Sequence, residues 1–111
     1  MTPAVRPNGV AEIARAVARG DVSAHEIASA ALADIEARDP ALGAFTDVTR
    51  NRALAEAQAI DHARAKGQPL GPLAGVPYAV KNLYAVQNVS TRAGSKISAE
   101  DPPAEADALL V

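Results

Sequence analysis

The first part of the chain places apolar residues at the spacing of an amphipathic helix. Val10, Ile13 and Val17 recur three or four positions apart, so they share one helical face. Asn8 before them is a suitable N-cap, and Gly20 after them is a suitable stop. The pattern therefore predicts a helix that begins after Asn8 and ends at Gly20.

A second helix has a clearer start. Ser23 is followed three positions later by Glu26, a pattern in which each side chain accepts a hydrogen bond from a free backbone amide of the first turn. Apolar residues at helical spacing follow. Because the residue before a proline avoids helical dihedral angles, we expect this helix to run to about Arg38 and to end at Asp39 and Pro40.

The middle of the chain predicts a short strand and a third helix. Ala44 to Val48 is short and partly alternating, which is typical of a strand. Thr49 is a suitable cap for a helix from about Arg50 to Lys66, and Gly67 is a suitable stop.

Helical spacing is then lost. From Gly71 the composition changes to Gly, Pro and β-branched residues, and the almost unbroken apolar run Val76 to Val80 predicts a buried strand. A loop-rich region, 82–103, follows, and 104–111 begins like an amphipathic helix without a cap or stop at its end. We therefore expect the sequence to end within an element.

Composition limits the size of the core and the class of protein. The 111 residues are 49% hydrophobic, enough for one small domain, but alanine is abundant, there is no Trp and there is a single Phe. The net charge of −2, from 11 Lys and Arg against 13 Asp and Glu, provides no basic surface, so direct nucleic-acid binding is not expected. We therefore expect a small globular domain with a thin core.

Compartment and metal content are also indicated by composition. The absence of cysteine excludes disulfides, thiolate metal sites and a cysteine nucleophile, and it fits a reducing cytoplasm. The first ten residues contain no apolar leader, and no apolar run approaches the ~18 residues of a membrane span, so no membrane partner is expected. His25 and His62 each lack a second ligand four positions on, so no metal site is predicted.

Lys81 is unusual because it directly follows the predicted buried strand Val76 to Val80. Such a lysine either extends to water or acts as a base in a dry pocket. In water a lysine side chain has a pKa of roughly 10.4 and is a poor base at neutral pH, whereas burial disfavours the ammonium form and lowers that value. The strand pattern alone favours the solvated lysine, because buried lysine is rare.

A longer motif favours the second interpretation. The segment matches G-P-L-x-G-x-P-x-x-V-K at Gly71, Pro72, Leu73, Gly75, Pro77, Val80 and Lys81. Together with the later stretches TRAGSKI and PAEADALLV, this motif makes nearly the whole chain resemble the amino-terminal part of the amidase signature family. Members of that family hydrolyse or transfer amide groups.

The resemblance implies a fold and a mechanism. The fold class would be α/β, a mixed β-sheet covered by helices, of which residues 1–111 form a helix-rich and incomplete amino-terminal portion of one domain. The mechanism would use a Ser, cis-Ser, Lys triad with Lys81 as its neutral base and no cofactor. The two serines belong to a downstream Gly/Ser-rich segment that these residues do not include, so the rest of the domain is expected to be absent here.

Further candidate residues surround the lysine, most of them assigned by the resemblance and one, Tyr84, by its position alone. Gly94 and Ser95 match a family turn near the site, outside the nucleophile motif. Tyr84 lies three positions after Lys81 and either lines a substrate pocket or packs. Asn82 stands where many members have Asp, and the stretch KNL followed by an aromatic residue is more similar to the carbamoyl-compound hydrolase branch than to the amidotransferase branch. The turn at Asn88, where Gly is usual, is expected to survive because Asn tolerates positive φ.

Two functions remain open from the sequence. The first is an amide-bond hydrolase, acting on a small amide or carbamoyl substrate and pairing with itself or with an accessory subunit. The alternative is a catalytically inactive truncated protein that acts at most as a binding partner. A small helical interaction module is disfavoured by the Gly/Pro-rich second half.

Overall fold

The computed structural model describes residues 6–111. Residues 1–5 lie outside the described residues, and they are the first half of the ten residues in which no leader is expected. It contains three helices, α1 (Val10–Arg19), α2 (Ala24–Leu42) and α3 (Arg50–Ala65). The chain divides into two compact units. The helical unit comprises Met1–Ala44 and Val48–Pro77, and the loop unit comprises Phe45–Asp47 and Tyr78–Val111.

Helix α1 confirms the predicted stop and corrects the predicted cap. Gly20 adopts φ 78°, and the chain closes the helix with amide hydrogen bonds from Gly20 to Val17 O (3.1 Å) and from Asp21 to Ala16 O (2.9 Å). The N-cap position is occupied by Gly9 and not by Asn8, and no side chain caps the first turn. A capping position that lacks a side-chain acceptor leaves the first amides of α1 to solvent.

Helix α2 confirms its predicted start but ends later than predicted. Ser23 Oγ accepts from the Glu26 amide (2.9 Å) and Glu26 Oε2 accepts from the Ser23 amide (3.0 Å). The helix continues through Pro40 to Leu42 and ends at Gly43, whose amide donates to Asp39 O (2.7 Å). The left-handed Gly43 (φ 60°) gives the helix a favourable end beyond the proline, so the missing N–H of Pro40 does not terminate it.

Helix α3 has the predicted limits to within one residue. Thr49 occupies the N-cap position without a side-chain hydrogen bond, and the left-handed Gly67 (φ 70°) follows the helix end. Helix α3 packs against α2.

The core of the helical unit is as small as the composition predicts. Its buried cluster consists of Ile13, Val17, Ala24, Ile27, Ala28 and Ala57, with Val22, Leu54, Ile60 and Val76 packed against it. Val17 is fully buried, and Gly75 lies so close that a Cβ added there would be 2.7 Å from Val17 Cγ2. Gly75 also has φ 87°, a conformation that favours glycine. The motif segment therefore packs against α1 through a glycine.

The amino terminus of α2 is bound by an acidic side chain of α3. Asp61 Oδ1 accepts from the Ala24 amide at 2.7 Å, and Asp61 Oδ2 accepts from the His25 amide at 3.0 Å. Free amides and the helix dipole make the start of a helix positive, so a carboxylate stabilises it.

The carboxyl terminus of α1 is bound by a basic side chain one turn further along α3. Arg64 Nη2 donates to Arg19 O at 2.8 Å and Arg64 Nε donates to Ala18 O at 3.3 Å. The guanidinium lies against Gly20, where any Cβ would overlap it. Residues three positions apart on α3 thus bind the negative end of α1 and the positive end of α2.

The predicted strands at 44–48 and 76–80 are wrong for the described residues, which contain no strand and a single isolated parallel bridge between Gln87 and Ala104. The Val76 amide donates to Leu73 O (3.1 Å) in a turn, and Pro77 has no N–H to donate. An extended segment becomes a strand only when a neighbour accepts and donates its backbone hydrogen bonds. The sheet of the expected α/β class is therefore not present in this part of the chain.

The predicted helix at 104–111 is also wrong. Its backbone bonds instead to the segment 85–89, with hydrogen bonds from Ala104 N to Val89 O (3.0 Å), from Asn88 N to Ala104 O (2.8 Å) and from Ala108 N to Ala85 O (2.8 Å). A helix of about two turns is costly to nucleate, so partners elsewhere in the loop unit determine its conformation. Asn88 has φ 67°, which confirms the predicted tolerance of positive φ at this turn.

We predict that Asp61→Ala lowers the free energy of unfolding by about 1 to 2 kcal/mol, because two amides at the start of α2 lose a charged acceptor. The matched control is Glu56→Ala, which removes a carboxylate of α3 that is paired with Arg52 on the surface and should cost at most about 0.5 kcal/mol. Thermal unfolding followed by far-UV circular dichroism measures both. Equal effects of the two substitutions would contradict the capping role of Asp61.

We also predict that Gly75→Ala is more destabilising than Gly67→Ala by more than about 1 kcal/mol. Both glycines have positive φ, so both variants carry backbone strain, but only the methyl group at 75 would overlap the buried Val17. Denaturant unfolding of the two variants separates the steric cost from the backbone cost. Similar stabilities would show that the approach of residue 75 to Val17 is not tightly packed.

Candidate functional site

Lys81 lies near the start of the loop unit, in a turn closed by a hydrogen bond from the Tyr84 amide to Lys81 O (3.1 Å). Its side chain is exposed among the described residues. The dry pocket expected from the sequence is therefore not formed by this part of the chain, and the role of Lys81 as a base stays a prediction.

Asn82 connects the lysine turn to the loop that follows it. Its side-chain Nδ2 donates to Ser90 O (3.0 Å), and its Oδ1 accepts from the Arg92 amide (2.7 Å). Its backbone carbonyl accepts from the Ala93 amide (2.9 Å). Three hydrogen bonds from one half-buried residue thus hold the segment 90–93 beside the residue that follows Lys81.

Gly94 and Ser95, the other residues assigned from the sequence, lie in a tight turn directly after this segment. Ala93 and Gly94 both adopt positive φ, 48° and 70°, and the Ser95 amide donates to Arg92 O (2.8 Å). Ser95 Oγ accepts from the Ile97 amide (3.2 Å). The structure therefore places Gly94 and Ser95 on a turn that Asn82 joins to the lysine turn.

The two tyrosines near the lysine differ in their contacts. Tyr84 is 39% exposed and Tyr78 is 68% exposed. The Tyr78 hydroxyl donates to Val111 O at 3.2 Å. Tyr84, whose backbone amide closes the lysine turn, stays a candidate for a substrate pocket.

Two residues around the lysine have features that the sequence analysis did not identify. Asn82 was noted only as a departure from a common Asp, yet its amide uses both its donor and its acceptor. Arg92 has a buried Nε without a hydrogen-bond partner among the described residues. In the sequence, the role of Asn82 is indicated only by an amide that replaces a carboxylate next to the motif lysine. No pattern in the sequence indicates that the Arg92 Nε is buried.

Other surfaces of the described residues offer less. An open groove of about 800 Å³ in the helical unit is lined by three arginines and three acidic residues, Arg6, Arg15, Arg19, Glu12, Asp21 and Glu26. These opposite charges balance, so the groove favours neither an anion nor a cation. Among residues 6–111, no group of three or more His, Asp or Glu side chains could hold a metal ion, and no helix is both long and apolar enough to cross a membrane.

Comparison with curated proteins gives long matches at high identity. The protein AtzE of Pseudomonas sp. (strain ADP), which belongs to a 1-carboxybiuret hydrolase, is 54% identical over 100 residues, which are 90% of this chain and 22% of that protein. One of the subunits of the glutamyl-tRNA(Gln) amidotransferase of Streptomyces coelicolor is 47% identical over 87 residues, 78% of this chain and 18% of that protein. The chain thus spans about a fifth of the length of the curated relatives it matches.

The fold is shared with solved structures. One is an inhibitor-bound vestigial protein complex, described as revealing the evolutionary origins of an s-triazine catabolic enzyme. One of its chains has a TM-score of 0.90 and 51% identity, covering 93% of this chain and 22% of that chain, and a second structure of the complex gives the same values. The helices and loops described above therefore have the same fold as one part of that longer chain.

The family comparison agrees with the motif that ends at Lys81. The sequence model of the Amidase family matches residues 26–111, which include α2 from Glu26 onward, α3, the Gly71 to Lys81 motif and the whole loop unit. The resemblance inferred from the sequence is thereby confirmed. The chain belongs to the Amidase family.

Proposed function

We propose that this chain is the amino-terminal part of one amidase domain, an enzyme that hydrolyses carbon–nitrogen bonds other than peptide bonds. The observation that carries the proposal is the position of Lys81 at the end of the Gly71 to Lys81 motif, inside the region that matches the Amidase family. In the proposed mechanism Lys81 is the base of a Ser, cis-Ser, Lys triad. The serines are supplied by a segment that these residues do not include.

The proposed reaction proceeds through an acyl-enzyme. A neutral Lys81 Nζ takes a proton, through the bridging serine, from the hydroxyl of the nucleophilic serine, whose oxygen then forms a bond to the amide carbon. The carbon–nitrogen bond breaks as the proton held by Lys81 is passed back through the bridging serine to the nitrogen, which leaves as ammonia or an amine. Water then cleaves the ester, which releases the acid and restores the serine hydroxyl.

The surroundings of Lys81 indicate what the remaining part of the domain must supply. A lysine is neutral near pH 7 only when burial disfavours its ammonium form, and Lys81 is exposed among the described residues. In the proposal, further segments enclose the lysine and pair with residues 76–80, which completes the mixed β-sheet. Gly94 and Ser95 support the site, and Tyr84 contributes to the substrate pocket.

The substrate and partners are proposed at the level of chemical class. The similarity to a protein of a 1-carboxybiuret hydrolase favours a small amide or carbamoyl compound, and the proposed chemistry requires no cofactor. The structural neighbour belongs to a protein complex, which supports an accessory subunit or a second copy as the partner. We place the enzyme in the cytoplasm, in keeping with its lack of cysteine.

We predict that, in an intact enzyme carrying this segment, Lys81→Ala and Lys81→Arg both lose at least about 10³-fold in kcat, because the members of a triad act as a unit and a guanidinium stays protonated. The matched control is Lys96→Arg, at an exposed lysine of the same loop unit, which should keep its activity. Ammonia release from 1-carboxybiuret, biuret, benzamide and glutamine is the measurement. An active Lys81→Arg enzyme would show that Lys81 is not the base.

We predict that residues 1–111 by themselves release no ammonia above background from the same four compounds. A general base without a serine nucleophile and a bridging serine cannot form an acyl-enzyme. The control is the same preparation carrying Lys81→Ala. Turnover that is lost in this variant would mean that a serine within residues 1–111 acts as the nucleophile, and the proposed triad would be wrong.

A further inference from the structure

We propose that Asn82 is a positioning residue for catalysis, which holds the Lys81 turn and the loop 90–95 in one arrangement through both ends of its side-chain amide. The inference rests on the proposed role of Lys81 as the base. It concerns a neighbouring residue that does not itself touch the reacting atoms.

The geometry leaves no free end on the amide. Nδ2 donates to Ser90 O at 3.0 Å and Oδ1 accepts from the Arg92 amide at 2.7 Å. The two backbone groups belong to residues two positions apart, so the amide bridges the loop at two points. The backbone carbonyl of Asn82 adds a third contact by accepting from the Ala93 amide at 2.9 Å.

An ionised carboxylate cannot make both of these hydrogen bonds in this loop, because it has no proton to donate to Ser90 O. Aspartate has the same shape, and one of its oxygens can still accept from the Arg92 amide. Its second oxygen would lie near the Ser90 carbonyl oxygen, the acceptor that Nδ2 contacts at 3.0 Å in the present structure, without a proton between them. The structure therefore assigns a requirement for Asn and not for a polar residue in general.

The loop that Asn82 holds is strained. Ala93 has φ 48°, a left-handed conformation that an alanine adopts rarely and that its surroundings must maintain. The hydrogen bonds from the amides of Arg92 and Ala93 to Asn82 are contacts that can maintain it. The next residues, Gly94 and Ser95, continue the turn, so their position follows from the same contacts.

The backbone of Lys81 is also held in place next to Asn82. Asn82 is joined to Lys81 by one peptide bond, and the Lys81 carbonyl accepts from the Tyr84 amide at 3.1 Å. The link to Asn82 and the hydrogen bond from Tyr84 together hold the backbone of Lys81. The Cα of the lysine therefore has a defined position relative to the loop 90–95. Displacement of a catalytic group by about 1 Å can lower a rate on the order of 10²-fold, so loss of the amide should appear in kcat.

The experiment compares Asn82→Asp with Asn88→Asp in an intact enzyme that carries this segment. Both substitutions exchange an amide for a carboxylate in the loop unit, but Asn88 is exposed and its φ of 67° is also tolerated by Asp. We expect Asn82→Asp to lower kcat for ammonia release from 1-carboxybiuret or biuret by about 10 to 100-fold with KM changed less than about threefold. Asn88→Asp should change neither.

A double-mutant cycle separates positioning from general structural damage. In an enzyme that already carries Lys81→Ala, Asn82→Asp should not lower the residual rate further, because it acts through the lysine. Hydrogen exchange should also become faster at the Ala93 amide in Asn82→Asp, because repulsion from the Ser90 carbonyl displaces the loop, and not in Asn88→Asp. If Asn82→Asp does not fold, Asn82→Ala, which removes the amide without adding a charge, gives the same comparison.

The outcomes distinguish this inference from the proposed function. An unchanged kcat in Asn82→Asp, or an equal loss with and without Lys81, overturns the positioning role while an inactive Lys81→Arg enzyme still supports the proposed base. An active Lys81→Arg enzyme contradicts the proposed base, and the positioning role fails with it.

Discussion

The helical unit depends on the contacts of Asp61 and Arg64 with the ends of two other helices. Helices α1 and α2 are joined by only four residues, so the carbonyls at the end of α1 and the amides at the start of α2, which have no partners within their own helices, lie close together. A single turn of α3 presents a carboxylate to the amides and a guanidinium to the carbonyls. The negative carboxylate meets the positive start of α2, and the positive guanidinium meets the negative end of α1. These contacts therefore fix the position of α3 against the connection between α1 and α2.

The thin core makes such polar contacts important. Three of the six buried residues of the core cluster are alanines, and each alanine removes little apolar surface from water. Close packing of backbone against side chains compensates in part for the small apolar area. The backbone of Gly75, for example, packs against the fully buried Val17. One glycine of the motif is thus explained by packing and backbone conformation, whereas the lysine at the end of the motif has no packing role in the described residues.

Around the lysine, the sequence indicated the participants but not the connection between them. The motif identified Lys81, and the resemblance added Gly94 and Ser95, because the order of residue types along the chain carries that information. The contact that joins them is made by Asn82 across an eight-residue separation to Ser90 and a ten-residue separation to Arg92. A separation of this kind leaves no periodic trace, so only the folded chain shows that the amide uses both of its ends.

The sequence by itself determined the features whose partners lie within a few residues. The capping box of Ser23 and Glu26 and the glycine stops at Gly20 and Gly67 are satisfied locally, so their patterns predicted them correctly. Tertiary structure decided the rest: residues 76–80 have no neighbour to pair with in this part of the chain, and 104–111 bonds to 85–89 and not to itself. Backbone donors and acceptors must be paired wherever water is excluded, and when the partner is distant in sequence, only the fold specifies which one it is.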